Sequence, residues 1–196
     1  MALQERVYRV LIVSASEKFN TSLREILPES VYAPVQIVSS VAQAQRTVAE
    51  AHFDLILINT PLPDDFGAGF AIDACNTNGA VVMLMIKSEL YDEVFSKVTQ
   101  SGVMTLKKPT TIPAMVQAFD WMRSMRERLR GFEKKTVSLE DKMAEIRIVN
   151  RAKWALIESC KMTEADAHRY IEKQAMDRCV TRREIAEGIL LTYQTV

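Results

Sequence analysis

Short apolar runs and longer amphipathic stretches alternate through the first 108 residues. The runs are Arg9–Val13, Val35–Val38, Leu55–Ile58, Val81–Ile86 and Val103–Leu106, rich in Val, Ile and Leu. Strands buried on both faces have this character. Between them lie Phe19–Leu27, Ala42–Ala51 and Tyr91–Thr99, each long enough for a crossover helix. Five strands alternating with helices predict an α/β fold built on a doubly wound five-stranded parallel sheet. After Lys108 the strand pattern stops. Thr110 and Thr111 ahead of Pro113 predict a helix start, with proline in the first turn.

From that start one helix can run far beyond ordinary length. Met122, Met125, Leu129, Phe132, Thr136, Leu139, Met143 and Ile146 follow at spacings of three and four. That is the repeat of a coiled-coil seam, interrupted only by Gly131 and the polar Thr136. It predicts a homodimer; the other reading is one long helix folded back on the first domain. Two capping patterns follow, Thr163-Glu164-Ala165-Asp166 and Thr181-Arg182-Arg183-Glu184. They divide the C-terminus into a long helix ending near Met162, a second over Glu164–Arg178 and a third over Arg182–Tyr193. Ala167, Tyr170, Ile171 and Ala175 form the expected apolar stripe of the second, and Ile185, Ala186, Ile189 and Leu190 that of the third. A small all-α three-helix domain is therefore expected after the coiled coil.

Composition narrows the function. The chain is 48% apolar and 26% charged, with 25 basic and 25 acidic side chains. This is ordinary for a soluble globular protein, and it excludes a uniformly basic nucleic-acid binder but not a basic face. Residues 1–112 carry 9 basic against 12 acidic groups, and residues 113–196 carry 16 against 13. The positive excess lies in the helical part. The longest apolar run, Ala80–Ile86, is far short of the roughly 20 residues a membrane span requires. No apolar signal segment follows Met1, so a cytoplasmic protein is expected. Cys75, Cys160 and Cys179 lack C-x-x-C spacing and read as reduced thiols. With His52 and His168 the only histidines, a zinc site or a hydrolase triad has little to build on. No cofactor, no metal and no enzymatic activity are expected.

Two resemblances add to this reading. Asp54-Leu55-Ile56-Leu57-Ile58-Asn59, then Pro63, Gly67 and Lys108-Pro109, resemble the third-strand and fifth-strand motifs of response-regulator receiver domains, over residues 6–122. The resemblance implies a phosphorylation pocket with two acids after the first strand and an aspartate after the third. Those positions hold Ser14, Ala15 and Asn59, and Met85 stands where a hydroxyl is expected. Only Lys108 matches. An amide is neither anionic nor nucleophilic at neutral pH, and Mg²⁺ needs an oxygen-rich acidic cluster. A degenerate, phosphorylation-independent receiver is expected; Asp64 and Asp65 are read as solvated turn residues.

The C-terminal residues, 136–196, resemble an ANTAR domain, an RNA-binding antiterminator module, with residues 113–150 as the linking helix. The segments concerned are Asn150-Arg151-Ala152-Lys153-Trp154-Ala155-Leu156-Ile157, Met162-Thr163-Glu164-Ala165-Asp166-Ala167, Gln174-Ala175-Met176-Asp177-Arg178, and Ile185-Ala186 with Ile189-Leu190. Trp154 replaces the small residue usual there. The resemblance implies a transcription antitermination regulator that binds stem-loops in nascent leader RNA. With the coiled-coil seam it is expected to be a dimer, controlled by a binding protein, a regulatory sensor protein used non-catalytically, or concentration alone. Lys153, Arg169, Lys173, Arg178, Arg182 and Arg183 are the expected RNA contacts, since basic groups hold phosphates and loops offer splayed bases. Two other readings stand: an adaptor dimerising through the coiled coil, and a regulator phosphorylated on a displaced acid such as Asp64.

Overall fold

Each predicted strand is present within a few residues of its expected limits. A computed structural model describes residues 6–193. Its elements are β1 (Tyr8–Val13), α1 (Glu17–Ile26), β2 (Tyr32–Val38), α2 (Val41–Glu50), β3 (Leu55–Asn59), α3 (Ala68–Asn78), β4 (Val81–Lys87), α4 (Tyr91–Val98), β5 (Met104–Lys108), α5 (Ile112–Cys160), α6 (Glu164–Arg178) and α7 (Arg182–Tyr193). The five strands are parallel in the order β2-β1-β3-β4-β5. The chain divides into two compact units, one up to Arg130 and one from Gly131 onward.

Side chains alternate across the sheet and are buried on both sides, which is why the strands read as unbroken apolar runs. Leu11, Val13, Ile56, Ile58, Val82, Leu84 and Ile86 pack with Phe70, Ala71 and Val98 on one face. Val10, Ile12, Leu55, Leu57, Val81, Met83 and Met85 pack with Leu23, Met115, Phe119 and Met122 on the other. The helix starts are set by local chemistry. Ser16 and Ser40 accept from the backbone N–H groups of Phe19 and Gln43, and Thr111 accepts from Ala114 at the start of α5. Gly67 turns the chain into α3 at φ +91°, and a Cβ there would lie 3.0 Å from Ile58 Cγ2. Only glycine suits that turn.

The expected seam on α5 splits in two. Met122 is fully buried and Leu129 packs against the same core, so both belong to the sheet domain. Further along, Phe132, Leu139, Met143 and Ile146 are exposed, and Met125 is 40% exposed. The heptad spacing runs continuously through residues that face a sheet and residues that face solvent. Spacing cannot separate the two cases.

The second unit closes around Ala152, Ala155, Leu156, Ala167, Ile171, Ala175, Ile185, Ala186 and Ile189. Most of these are alanines. The helices therefore approach closely, and each buried residue contributes little transfer free energy. Thr163 and Thr181 cap α6 and α7, accepting from the N–H groups of Asp166 and Glu184. Tyr170 departs from expectation. It is 40% exposed, because Ala167, Ile171 and Ala175 alone, at four-residue spacing, make the buried seam of α6.

Candidate functional site

Parallel strands all end on one edge of a sheet, and the edge formed by β1, β3 and β5 collects three of the five residues of the predicted degenerate pocket. Asn59 Nδ2 donates to Ser14 Oγ at 3.1 Å, and Lys108 Nζ donates to Asn59 Oδ1 at 2.7 Å and to the Thr60 carbonyl. Ser14 is buried. Ala15 is exposed and joins none of these bonds. Met85 lies opposite Asn59 in the β3–β4 register, with its side chain buried in the core. Burial and the neighbouring Lys87 ammonium push the Lys108 ammonium below its usual lysine value.

Both ends of the Asn59 amide are thus engaged, and the ammonium is bonded by two neutral carbonyl oxygens. Among the described residues, no group of three or more His, Cys, Asp or Glu is arranged to hold a metal ion. The nearby acids serve the backbone. Asp64 accepts from the N–H groups of Val41 at 3.0 Å and Ala42 at 2.9 Å, which caps α2. The Ala42 and Val41 hydrogen bonds hold its carboxyl below the usual carboxylate range. Asp65 accepts from the Gly67 N–H at 2.6 Å. Asp64 is exposed, as expected of a turn acid, and caps a helix as well.

A buried charge centre lies at the opposite end of β3. Asp54 accepts from the Arg9 backbone N–H at 3.1 Å, Arg126 Nε at 3.1 Å and Arg130 Nη2 at 2.7 Å. Burial raises its pKa, but the Arg9 bond and the Arg126 and Arg130 guanidinium groups outweigh burial and leave it below the ordinary value. The sequence held a signal for this: arginines at 123, 126 and 130, one helical face, with an acid directly before an apolar strand.

The second unit contains the basic candidates. Arg169, Lys173 and Arg178 are exposed along α6. Lys153 pairs with Glu164 at 3.1 Å, and Arg183 pairs with Glu187 at 2.8 Å along its own helix. Arg182 lies 3.4 Å from Glu145 and 3.9 Å from Glu172, and His168 lies 3.3 Å from the same Glu172. Of the six predicted residues, Lys153 and Arg182 converge on one cleft of about 410 Å³, lined also by Lys142, Glu145, Ile146, Val149, Asn150 and His168. The expected contacts left out Lys142, which lies on α5 ahead of the family-like segments, and Asn150, which opens the first of them. The positions 142, 146, 149, 150 and 153 follow helical spacing and could have been grouped.

Comparison with known proteins agrees with both units. Residues 138–190 match the ANTAR domain family. The transcriptional regulatory protein PdtaR of Mycobacterium tuberculosis is 29% identical over 191 residues, 95% of this chain and 91% of that protein. The signal receiver domain of an HD domain-containing protein from Pseudomonas fluorescens Pf-5 superposes with a TM-score of 0.58 at 18% identity, covering 67% of this chain and 97% of that one. A low-resolution structure of the response regulator StyR superposes with a TM-score of 0.59 at 12% identity, covering 92% and 98%. At such identities the structural likenesses speak for the fold. A receiver-like fold is thus followed by a segment that matches the ANTAR family.

Proposed function

We propose that this chain, a receiver-like fold carrying an ANTAR domain, is a cytoplasmic RNA-binding regulator of transcription antitermination. Its C-terminal unit binds stem-loops in nascent leader RNA and prevents a terminator from forming. The observation that carries this reading is the gathering of basic side chains in the unit that matches the ANTAR family. Exposed Arg169, Lys173 and Arg178 run along α6, and Lys153 and Arg182 meet at a cleft. Such groups hold the phosphate backbone, while base edges in an unpaired loop supply discrimination. Tyr170, 40% exposed beside Arg169, offers a ring on which an unstacked base can lie.

The exposed residues Phe132, Leu139 and Met143 are the proposed dimer contact, with Ile146 left outside it as a wall of the cleft, since two copies would cover apolar surface that one leaves in water. The receiver-like unit works in this reading without phosphoryl transfer, as a platform for a regulatory partner. Support comes from Asn59 at the acceptor position, bonded through both amide ends to Ser14 and Lys108.

The test is titration of tandem RNA hairpins with randomised loops, set against duplex DNA of equal length at several salt concentrations. The expected result is tighter binding to hairpins, with the salt slope falling by about one when Lys173 is changed to Ala, as for loss of one phosphate contact. Equal binding to DNA would refute loop recognition, because charge attraction alone would then account for the affinity.

A further inference from the structure

Two adjacent arginines open α7, and the structure treats them differently. Arg183 is bonded to Glu187 at 2.8 Å, the length of a strong charge-assisted bond. Arg182 has two acidic neighbours on other helices, Glu145 and Glu172, both more distant at 3.4 and 3.9 Å. Its side chain is half exposed and borders the cleft between α5, α6 and α7. The guanidinium is therefore held loosely, with donors to spare, over a space of about 410 Å³. That volume is within the range of small-molecule sites.

The lining is divided by chemistry. Lys142, Lys153 and Arg182 line it with one acid, Glu145, while Glu164 and Glu172 pair with Lys153 and Arg182 from outside the lining. Ile146 and Val149 provide an apolar wall, and Asn150 and His168 add groups that can donate to or accept from a base edge. A cationic end beside an apolar wall matches a nucleotide, whose phosphate is anionic and whose base has flat apolar faces.

We propose that this cleft takes one 5′-phosphorylated nucleotide splayed from an RNA loop, with its phosphate on Arg182, Lys142 and Lys153 and its base against Ile146 and Val149. The Glu145 and Glu172 carboxylates occupy the phosphate's place on Arg182 until it arrives. Two consequences follow. Neutralising Glu145 strengthens binding, and Arg182 matters where Arg183 does not. The inference rests on the RNA reading above for the source of the nucleotide, but the cleft can be tested without RNA.

The experiment follows the backbone amide signals of Asn150 and His168 in the full chain by NMR while AMP, UMP, adenosine or inorganic phosphate is added. The nucleotides are expected to give saturable shifts that neither adenosine nor phosphate matches. Arg182→Ala or Lys142→Ala weakens nucleotide binding about tenfold, the scale of one charge-assisted hydrogen bond. Arg183→Ala leaves it unchanged. Glu145→Gln, which keeps the helix and removes a partly exposed competing charge, tightens it about threefold. Absence of cleft shifts with either nucleotide overturns the proposal, as do shifts that phosphate alone reproduces. Tandem hairpins are then titrated with the same variants, after circular dichroism confirms folding. Hairpin binding by the parent that survives Arg182→Ala and Lys142→Ala undiminished overturns the cleft and leaves the RNA reading in place. Saturable nucleotide binding without any hairpin binding sustains the cleft and removes the RNA reading.

Discussion

Changing Asp54 to Asn tests the buried charge centre that anchors α5 to the sheet. Asn keeps the shape and an oxygen for the Arg9 N–H, bonded at 3.1 Å, but removes the charge that Arg126 and Arg130 share. Asp54 is 4% exposed and Arg126 5%, so this pair is a buried one. Taking one partner from a buried pair costs about 3–5 kcal/mol, because the other charge stays out of water. The Arg130 side chain is 22% exposed, and its share falls toward the surface range of about 0–1 kcal/mol. The expected loss is about 3 kcal/mol in the first unit, near the lower end of the buried range because Asn retains the Arg9 bond. The unfolding midpoint should drop by about 10 °C for a unit of this size. Scanning calorimetry resolves the transition of each unit, which a single two-state fit would not.

The pH dependence of that loss is a second readout. Asp54 has a folded pKa below its unfolded value, so its stabilisation is fully present above the unfolded carboxyl value of about 4. It is lost as pH falls through the folded value. The gap between parent and Asp54→Asn should therefore be widest at neutral pH and close in acid. A variant within about 1 kcal/mol of the parent at pH 7 would refute the reasoning, since a surface pair costs no more than that.

Two further predictions concern the proposed dimer and the degenerate pocket. Changing Leu139 and Met143 together to Lys places like charges in the exposed α5 stripe; light scattering should then report a monomer, and binding to tandem hairpins should weaken through lost avidity. An unchanged dimer would locate the association elsewhere. Incubation with acetyl phosphate and Mg²⁺ should leave the intact mass unchanged, because Asn59 is an amide and Asp64 is engaged by two backbone N–H groups. A gain of one phosphoryl group on Asp64 or Asp65 would overturn the phosphorylation-independent reading.

Local pattern determined most of the architecture. Strands buried on both faces are continuous apolar runs, so β1, β3 and β4 could be read directly. The caps at Thr111, Thr163 and Thr181 act within three residues, and the limits of α6 and α7 followed from them. The resemblance to receiver domains carried by Asn59, Pro63, Gly67 and Lys108 implied that Ser14, Asn59 and Lys108 would meet at the sheet edge, where hydrogen bonds join them. Tertiary structure decided what spacing alone leaves open. Met122 and Met143 lie three heptads apart at the same seam position, yet one is buried in the sheet core and the other is exposed. Tyr170 lies beside the α6 seam but outside it. Asp64 caps a helix 23 residues earlier in the chain, and Asp54 meets arginines more than 70 residues later. Counting basic residues could not distinguish Arg182 from Arg183 either. Their roles depend on whether an acid lies four residues along the same helix, a local fact, or across a cleft on two other helices, which only packing creates.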